Sequence, residues 1–267
     1  MAAGVVLLGH GTQDAEGAAE FLACAAALRA RTGEPVFVGV LEYSSTEAPQ
    51  IQAAFDSAAE AELDELVALP ALLHFAGHTR DDMPDQVQLA RARHPELRIT
   101  LAGPLGIDER LLGAVEERLA PMEGDEDTAV LLVGRGSTNS EANADLFKTA
   151  RLLWDRNRFG WVEAGFVSLA PPGVMAGIER CFRLGARRVI VMPYFLNTGV
   201  LVKRIRQQAA QVSAGIEVAE HLGAHPLVVD VLIERLEQAR AGVCACQAAS
   251  GCRIPSLQCG RGALCLA

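Results

Sequence analysis

Val130-Leu131-Leu132-Val133-Gly134-Arg135-Gly136-Ser137 repeats, in the second half of the chain, the pattern of Val5-Val6-Leu7-Leu8-Gly9-His10-Gly11-Thr12 in the first. Each stretch is an apolar run of strand length that ends in a glycine-flanked polar residue and a hydroxyl. Runs that are apolar at every position suit strands buried on both faces of a parallel sheet. The repetition continues outward. Val162 to Val167 answers Pro35 to Leu41, with Gly165 at the place of Gly39. Val189-Ile190-Val191-Met192-Pro193 answers Leu66-Val67-Ala68-Leu69-Pro70. Leu222-Gly223 through Glu234-Arg235-Leu236 answers Leu105-Gly106 through Glu117-Arg118-Leu119 without a gap. The chain is one α/β unit written twice.

Within the first copy, Val5 to Leu8, Pro35 to Leu41, Glu65 to Leu69 and Leu97 to Leu101 read as strands. Helices are expected from about Asp14, with Ala18, Leu22, Ala25 and Leu28 on the buried face, then over 47–61, Pro84 to Ala92, and Asp108 to Leu119 with Asp108 as cap. Strands and helices that alternate in this way predict an α/β fold. The expectation is two tandem domains, each a mainly parallel four-stranded sheet flanked by helices, with the site in the cleft between them. The boundaries expected are 1–120, a polar linker at 121–127, 128–238, and a Cys-rich tail at 239–267.

A net charge of −9 and a pI near 5.2 argue against a nucleic-acid surface. No apolar run reaches the length of a membrane span. The N-terminal run lacks a basic leader and is strand-length, which points to the cytoplasm. Five of the seven cysteines (Cys244, Cys246, Cys252, Cys259 and Cys265) fall in the tail. In a reducing compartment they suggest metal or iron–sulfur ligation before disulfides. Zinc sites usually show two close Cys pairs, and this tail lacks them.

The repeat also singles out chemistry. His10 in the first copy becomes Arg135 in the second, His78 becomes Leu201, and His74 becomes Asn197. A scaffold that survives without these imidazoles does not need them for folding, although for His74 a hydrogen-bonded loop histidine is an equal alternative. His10 and His78 follow the first and third strands, on the edge where open parallel sheets bind ligands. With the carboxylates of Asp81, Asp82 and Glu42 nearby they suit a borderline divalent metal. A dinucleotide fingerprint fails in both copies; in the second, Asn139 stands where the third glycine belongs. Lys203-Arg204-Ile205-Arg206 occupies the place of Arg80-Asp81-Asp82-Met83. One edge is therefore imidazole and carboxylate, the other basic, as a metal-receiving polycarboxylate would require. For Arg206 a solvated helix face is an equal alternative. His94 reads as a surface residue, and His221 with His225 as turn or capping residues before a second metal pair.

Gly-His-Gly-Thr after the first strand, Ala-Gly-His-Thr-Arg-Asp-Asp-Met-Pro after the third, and Gly-Val-Leu-Val-Lys-Arg in the second half resemble the class II chelatases. Within them the chain is similar to the long-form sirohydrochlorin cobaltochelatases of the CbiX type, over residues 4 to about 238. The resemblance implies ATP-independent insertion of Co²⁺ into sirohydrochlorin, an eight-carboxylate tetrapyrrole, in cobalamin biosynthesis. It implies that His10 and His78 are the metal-binding and proton-accepting pair. Leu73, His74, Phe75, Ala76 and Gly77 would then contact the macrocycle, with Glu42, Arg135 and Lys203 completing substrate binding. It also favours an iron–sulfur cluster on four of the five tail cysteines, although the His-rich run and Cys-x-x-Cys motif of many long forms are missing. Two rivals stay open: the same reaction with Fe²⁺, giving sirohaem, and a non-catalytic metal or cluster carrier.

Overall fold

The computed structural model describes residues 2–74, 82–213 and 216–243. In the first copy β1 (Ala3–Gly9), α1 (Ala15–Thr32), β2 (Val36–Val40), α2 (Ile51–Glu60), β3 (Glu65–Pro70), α3 (Met83–Arg93), β4 (Arg98–Leu101) and α4 (Glu109–Leu119) follow in order. The second repeats them as β5 (Thr128–Gly134), α5 (Ser140–Arg156), β6 (Trp161–Phe166), α6 (Val174–Arg183), β7 (Arg188–Pro193), α7 (Val200–Val212), β8 (Glu217–Val218) and α8 (Pro226–Arg240). The two sheets run β2-β1-β3-β4 and β6-β5-β7-β8, and every pair in them is parallel. Two tandem four-stranded parallel sheets flanked by helices are thus present, as the doubled pattern predicts.

Register follows the repeat residue by residue. Leu8 lies between Gly39 of β2 and Pro70 of β3, and Val133 between Gly165 of β6 and Pro193 of β7. The central strands β1 and β5 are buried almost throughout, which explains their unbroken apolar runs. Val6, Leu8, Leu66 and Ala68 of the first sheet pack with Ile51 and Phe55 of α2 and Met83 and Val87 of α3. Each of these side chains other than Ala68 contributes roughly 1.5–3 kcal/mol by leaving water.

Asp14 caps α1 by accepting the Glu16 N–H at 3.1 Å, and Gly33 ends the helix in the left-handed region at φ 72°. The buried stripe of α1 is Gly17, Phe21, Cys24, Ala25 and Leu28. Ala18 and Leu22, expected on this face, are only partly buried, because Phe21 and not Leu22 is the large side chain turned into the core. His94 is also corrected: its Nε2 lies 2.7 Å from Asp56 Oδ1 and the ring is largely covered.

The repeat runs to about 120 and 238, but the compact units do not end there. One unit is Met1–Asp108 with residues 229–243; the other is Glu109–Val228. The closing helix of each copy has been exchanged. Most of α8 packs in the first unit, where Arg235, only 3% exposed, donates to Pro104 O at 3.1 Å, Leu105 O at 2.7 Å and Asp108 Oδ2 at 3.3 Å. Arg31 pairs with Asp230 there, and Arg240 with Glu34 at 2.8 Å. In the second unit Arg118 of α4 donates to Leu222 O at 2.8 Å, and Glu116 pairs with Arg156 at 3.0 Å. Arg118 and Arg235 hold the same place in the repeat, as do Leu105 and Leu222, so one bond is made twice and reciprocally. Ala239 is buried on α8, so the helix passes the expected start of the tail. Among the described residues no helix is long and apolar enough to cross a membrane.

Candidate active site

His10 leaves the end of β1 in a tightly specified backbone. Leu41 and Glu42, just past β2, donate their N–H groups to Gly9 O at 3.1 Å and His10 O at 2.9 Å. That crossing is possible because Gly11 has φ 89°; a Cβ there would stand 1.8 Å from Glu42 O. His10 Nδ1 lies 3.2 Å from Gly11 O. A carbonyl only accepts, so this contact is a hydrogen bond in the tautomer with the proton on Nδ1, which places the ring's lone pair on Nε2. Glu42 is exposed beside it. Of the predicted site residues, the structure brings these two together most directly.

Past β3, Ala71 N–H donates to Leu8 O at 2.8 Å, while Leu105 and Gly106 donate to Leu72 O and Leu73 O, both at 2.9 Å. The backbone leading to His74 is therefore tied to β1 on one side and to the loop after β4 on the other. Burial pushes the His74 imidazole from its ordinary 6.5 down to about 4, so the ring is neutral at neutral pH. Leu73 is partly buried next to it. Phe75, Ala76, Gly77, His78, Arg80 and Asp81 lie outside the described residues, as do Cys244, Cys246, Cys252, Cys259 and Cys265. Asp82 is exposed at the start of α3, with Pro84 in the first turn as expected.

The second unit rebuilds this backbone with other side chains. Val167 and Ser168 donate to Gly134 O and Arg135 O, both at 3.0 Å; Tyr194 donates to Val133 O at 2.8 Å, and Leu222 to Phe195 O at 3.0 Å. Gly136 has φ 86°, and a Cβ there would lie 2.1 Å from Ser168 O. Arg135 and Ser168 thus stand where His10 and Glu42 stand, and Arg135 is exposed. Lys203 projects from the first turn of α7, exposed, while Arg206 is engaged by both Glu220 oxygens at 3.0 Å. That ion pair accounts for Arg206 without a ligand. His225 accepts the Leu227 N–H on Nδ1 at 3.2 Å and lies 3.2 Å from Glu117 Oε2 through Nε2, the capping role expected of it. Among the described residues no group of three or more His, Cys, Asp or Glu side chains is placed to hold a metal ion. Cys24 and Cys181 are core residues, their thiols pushed up by burial to about 11 and about 12.

One feature of the edge has no signal in residue type. Tyr43 and Leu169, which follow Glu42 and Ser168, both adopt positive φ, 52° and 57°. Only the alignment of the two copies could have drawn attention to them.

The CbiX family model matches residues 4–122 and again 129–239. A sirohydrochlorin cobaltochelatase of Priestia megaterium is 31% identical over 89% of this chain and 80% of its own. A sirohydrochlorin ferrochelatase of the same organism is 30% identical over 87% of this chain and 89% of its own. The solved structure of SirB from Bacillus subtilis with Fe³⁺ shares the fold, with a TM-score of 0.79 over 91% of this chain and 97% of that one at 24% identity. With its motifs and its doubled sheet matched twice over, the chain belongs to the CbiX family.

Proposed function

We propose that the chain inserts Co²⁺ into sirohydrochlorin without ATP, as a step in cobalamin biosynthesis. The observation that carries this reading is the pairing of His10 with Glu42 at the sheet edge, on a backbone whose second copy holds Arg135 and Ser168 instead. Insertion exchanges one M²⁺ for two pyrrole protons, so the site must both shed water from the ion and accept protons. His10 Nε2 supplies a lone pair for either task, and His78 is its proposed partner. His74 has too little basicity to keep a proton at neutral pH. It is proposed, with Leu73, Phe75, Ala76 and Gly77, to line the macrocycle. Arg135 and Lys203 are proposed to hold the substrate's carboxylates by charge-assisted hydrogen bonds. Four of the five tail cysteines are proposed to carry an iron–sulfur cluster that is accessory to the reaction.

Nitrogen and oxygen ligands bind Co²⁺ more tightly than Fe²⁺, and a cobaltochelatase is among the relatives. A second reading, Fe²⁺ insertion toward sirohaem, draws on the ferrochelatase relative at 30% identity. The test is an anaerobic absorbance assay of the purified chain with sirohydrochlorin and each metal. Faster turnover with Co²⁺ is expected, and faster turnover with Fe²⁺ assigns the second reading. His10→Ala should abolish insertion with either metal at an unchanged melting temperature. No turnover of the wild-type chain with either metal would leave a carrier instead of an enzyme.

A further inference from the structure

Three residues other than glycine have positive φ among the described residues: Tyr43 at 52°, Glu62 at 53° and Leu169 at 57°. Side chains with a Cβ are strained there, and Gly or Asn is the usual relief. Glu62 lies in the turn between α2 and β3, at the edge of the sheet away from His10, and it is charged and exposed as a surface turn residue would be. Tyr43 and Leu169 are different. They are partners in the repeat, each one residue beyond the N–H that bonds back to His10 O or Arg135 O. Each is a large apolar residue held out into solvent, Tyr43 52% exposed and Leu169 58% exposed.

Neither conformation nor exposure favours such residues at this place. A glycine or asparagine would relax the backbone, and a polar side chain would suit the water. The left-handed backbone is common to both copies and belongs to the crossing; an exposed aromatic ring placed on it only in the copy with His10 is unexplained by local stability and points to a ligand. We propose that Tyr43 is a substrate-binding residue whose ring packs on the face of the conjugated macrocycle beside His10. This rests on the reading of sirohydrochlorin as substrate. A flat tetrapyrrole carries its carboxylates on its rim, and its faces need apolar contact that Arg, Lys and Glu do not provide. An aromatic ring offers area and offset stacking together. Leu169 keeps the conformation and the apolar character without the ring, so the aromatic residue occurs only in the copy that carries His10.

The experiment is a titration of metal-free protein with sirohydrochlorin, followed by absorbance and intrinsic fluorescence, alongside thermal melting. Tyr43→Ala is expected to weaken binding on the order of tenfold, with Tyr43→Phe recovering most of that loss. Tyr43→Gly should bind as weakly as Tyr43→Ala while melting at a higher temperature, because the strained φ is relieved. Glu62→Gly should raise the melting temperature in the same way and leave binding intact. A purely structural Tyr43 would give a Tyr43→Gly protein that is more stable and binds fully. Wild-type binding with Tyr43→Ala unchanged within about twofold overturns the inference alone. A wild-type chain that does not bind sirohydrochlorin overturns the substrate reading, and the inference with it.

Discussion

Burial holds the His74 imidazole at about 4 against an ordinary 6.5, so between those values an unfolded chain takes up a proton that the folded chain refuses. The stabilisation this represents is fully present above pH 6.5 and is lost as pH falls through the window to about 4. Its size is about 1.4 kcal/mol per pH unit, or about 3 kcal/mol across the window. Urea unfolding of the wild-type chain and of His74→Gln at pH 7.5, 5.5 and 4.5 should show a stability difference that narrows by that slope as the pH drops. Parallel curves for the two proteins would mean that His74 does not set it. The same residue shows why an imidazole's role is hard to read from its neighbours in sequence. His10 and His74 both follow apolar strands and are both partly buried, yet desolvation of the ring is what lowers the basicity of His74.

Among elements, the closing helices depend most on contacts far away in sequence. Arg235 anchors α8 to two carbonyls and to Asp108, and it does so almost without solvent. Replacing it with methionine leaves the largely buried Asp108 carboxylate and two carbonyls without their donor, which should cost about 3–5 kcal/mol. Arg240, one turn further on, pairs with Glu34 nearer the surface. Arg240→Met should cost only about 0–1 kcal/mol. Differential scanning calorimetry of both variants measures the contrast, and equal losses would show that α8 is held by its apolar face alone.

For the whole chain, α8 and its Arg240–Glu34 pair belong to the first unit, and both lie before the Cys-rich tail. Deleting residues 244–267 should leave the melting temperature and metal insertion unchanged and remove any iron and sulfide that the full chain binds. Deleting from 239 onward, the boundary that residue type suggests, should lower the melting temperature because it takes Ala239 and Arg240 from α8. Chelation lost with the shorter deletion would make the tail part of the enzyme and not an accessory. Iron, sulfide and zinc analysis of anaerobically purified protein, beside the activity assay, distinguishes these outcomes.

Unbroken apolar runs, glycine-flanked exits and a repeat in register were enough, in the sequence by itself, to determine two parallel four-stranded sheets, since all of these are local patterns. Comparing the copies also separated residues needed by the scaffold from residues that vary upon it. Only the tertiary structure decided which unit each closing helix joins. Arg118 and Arg235 stand in equivalent, ordinary helical sequences, and their carbonyl partners lie 104 and 130 residues away in the chain. It alone decided that Phe21 and not Leu22 faces the core of α1, because several rotations of an alanine-rich helix satisfy the same periodicity. It alone decided the low basicity of His74 and the left-handed backbone of Tyr43. Burial and backbone crossing are properties of what packs around a residue, and no propensity of the residue itself encodes them.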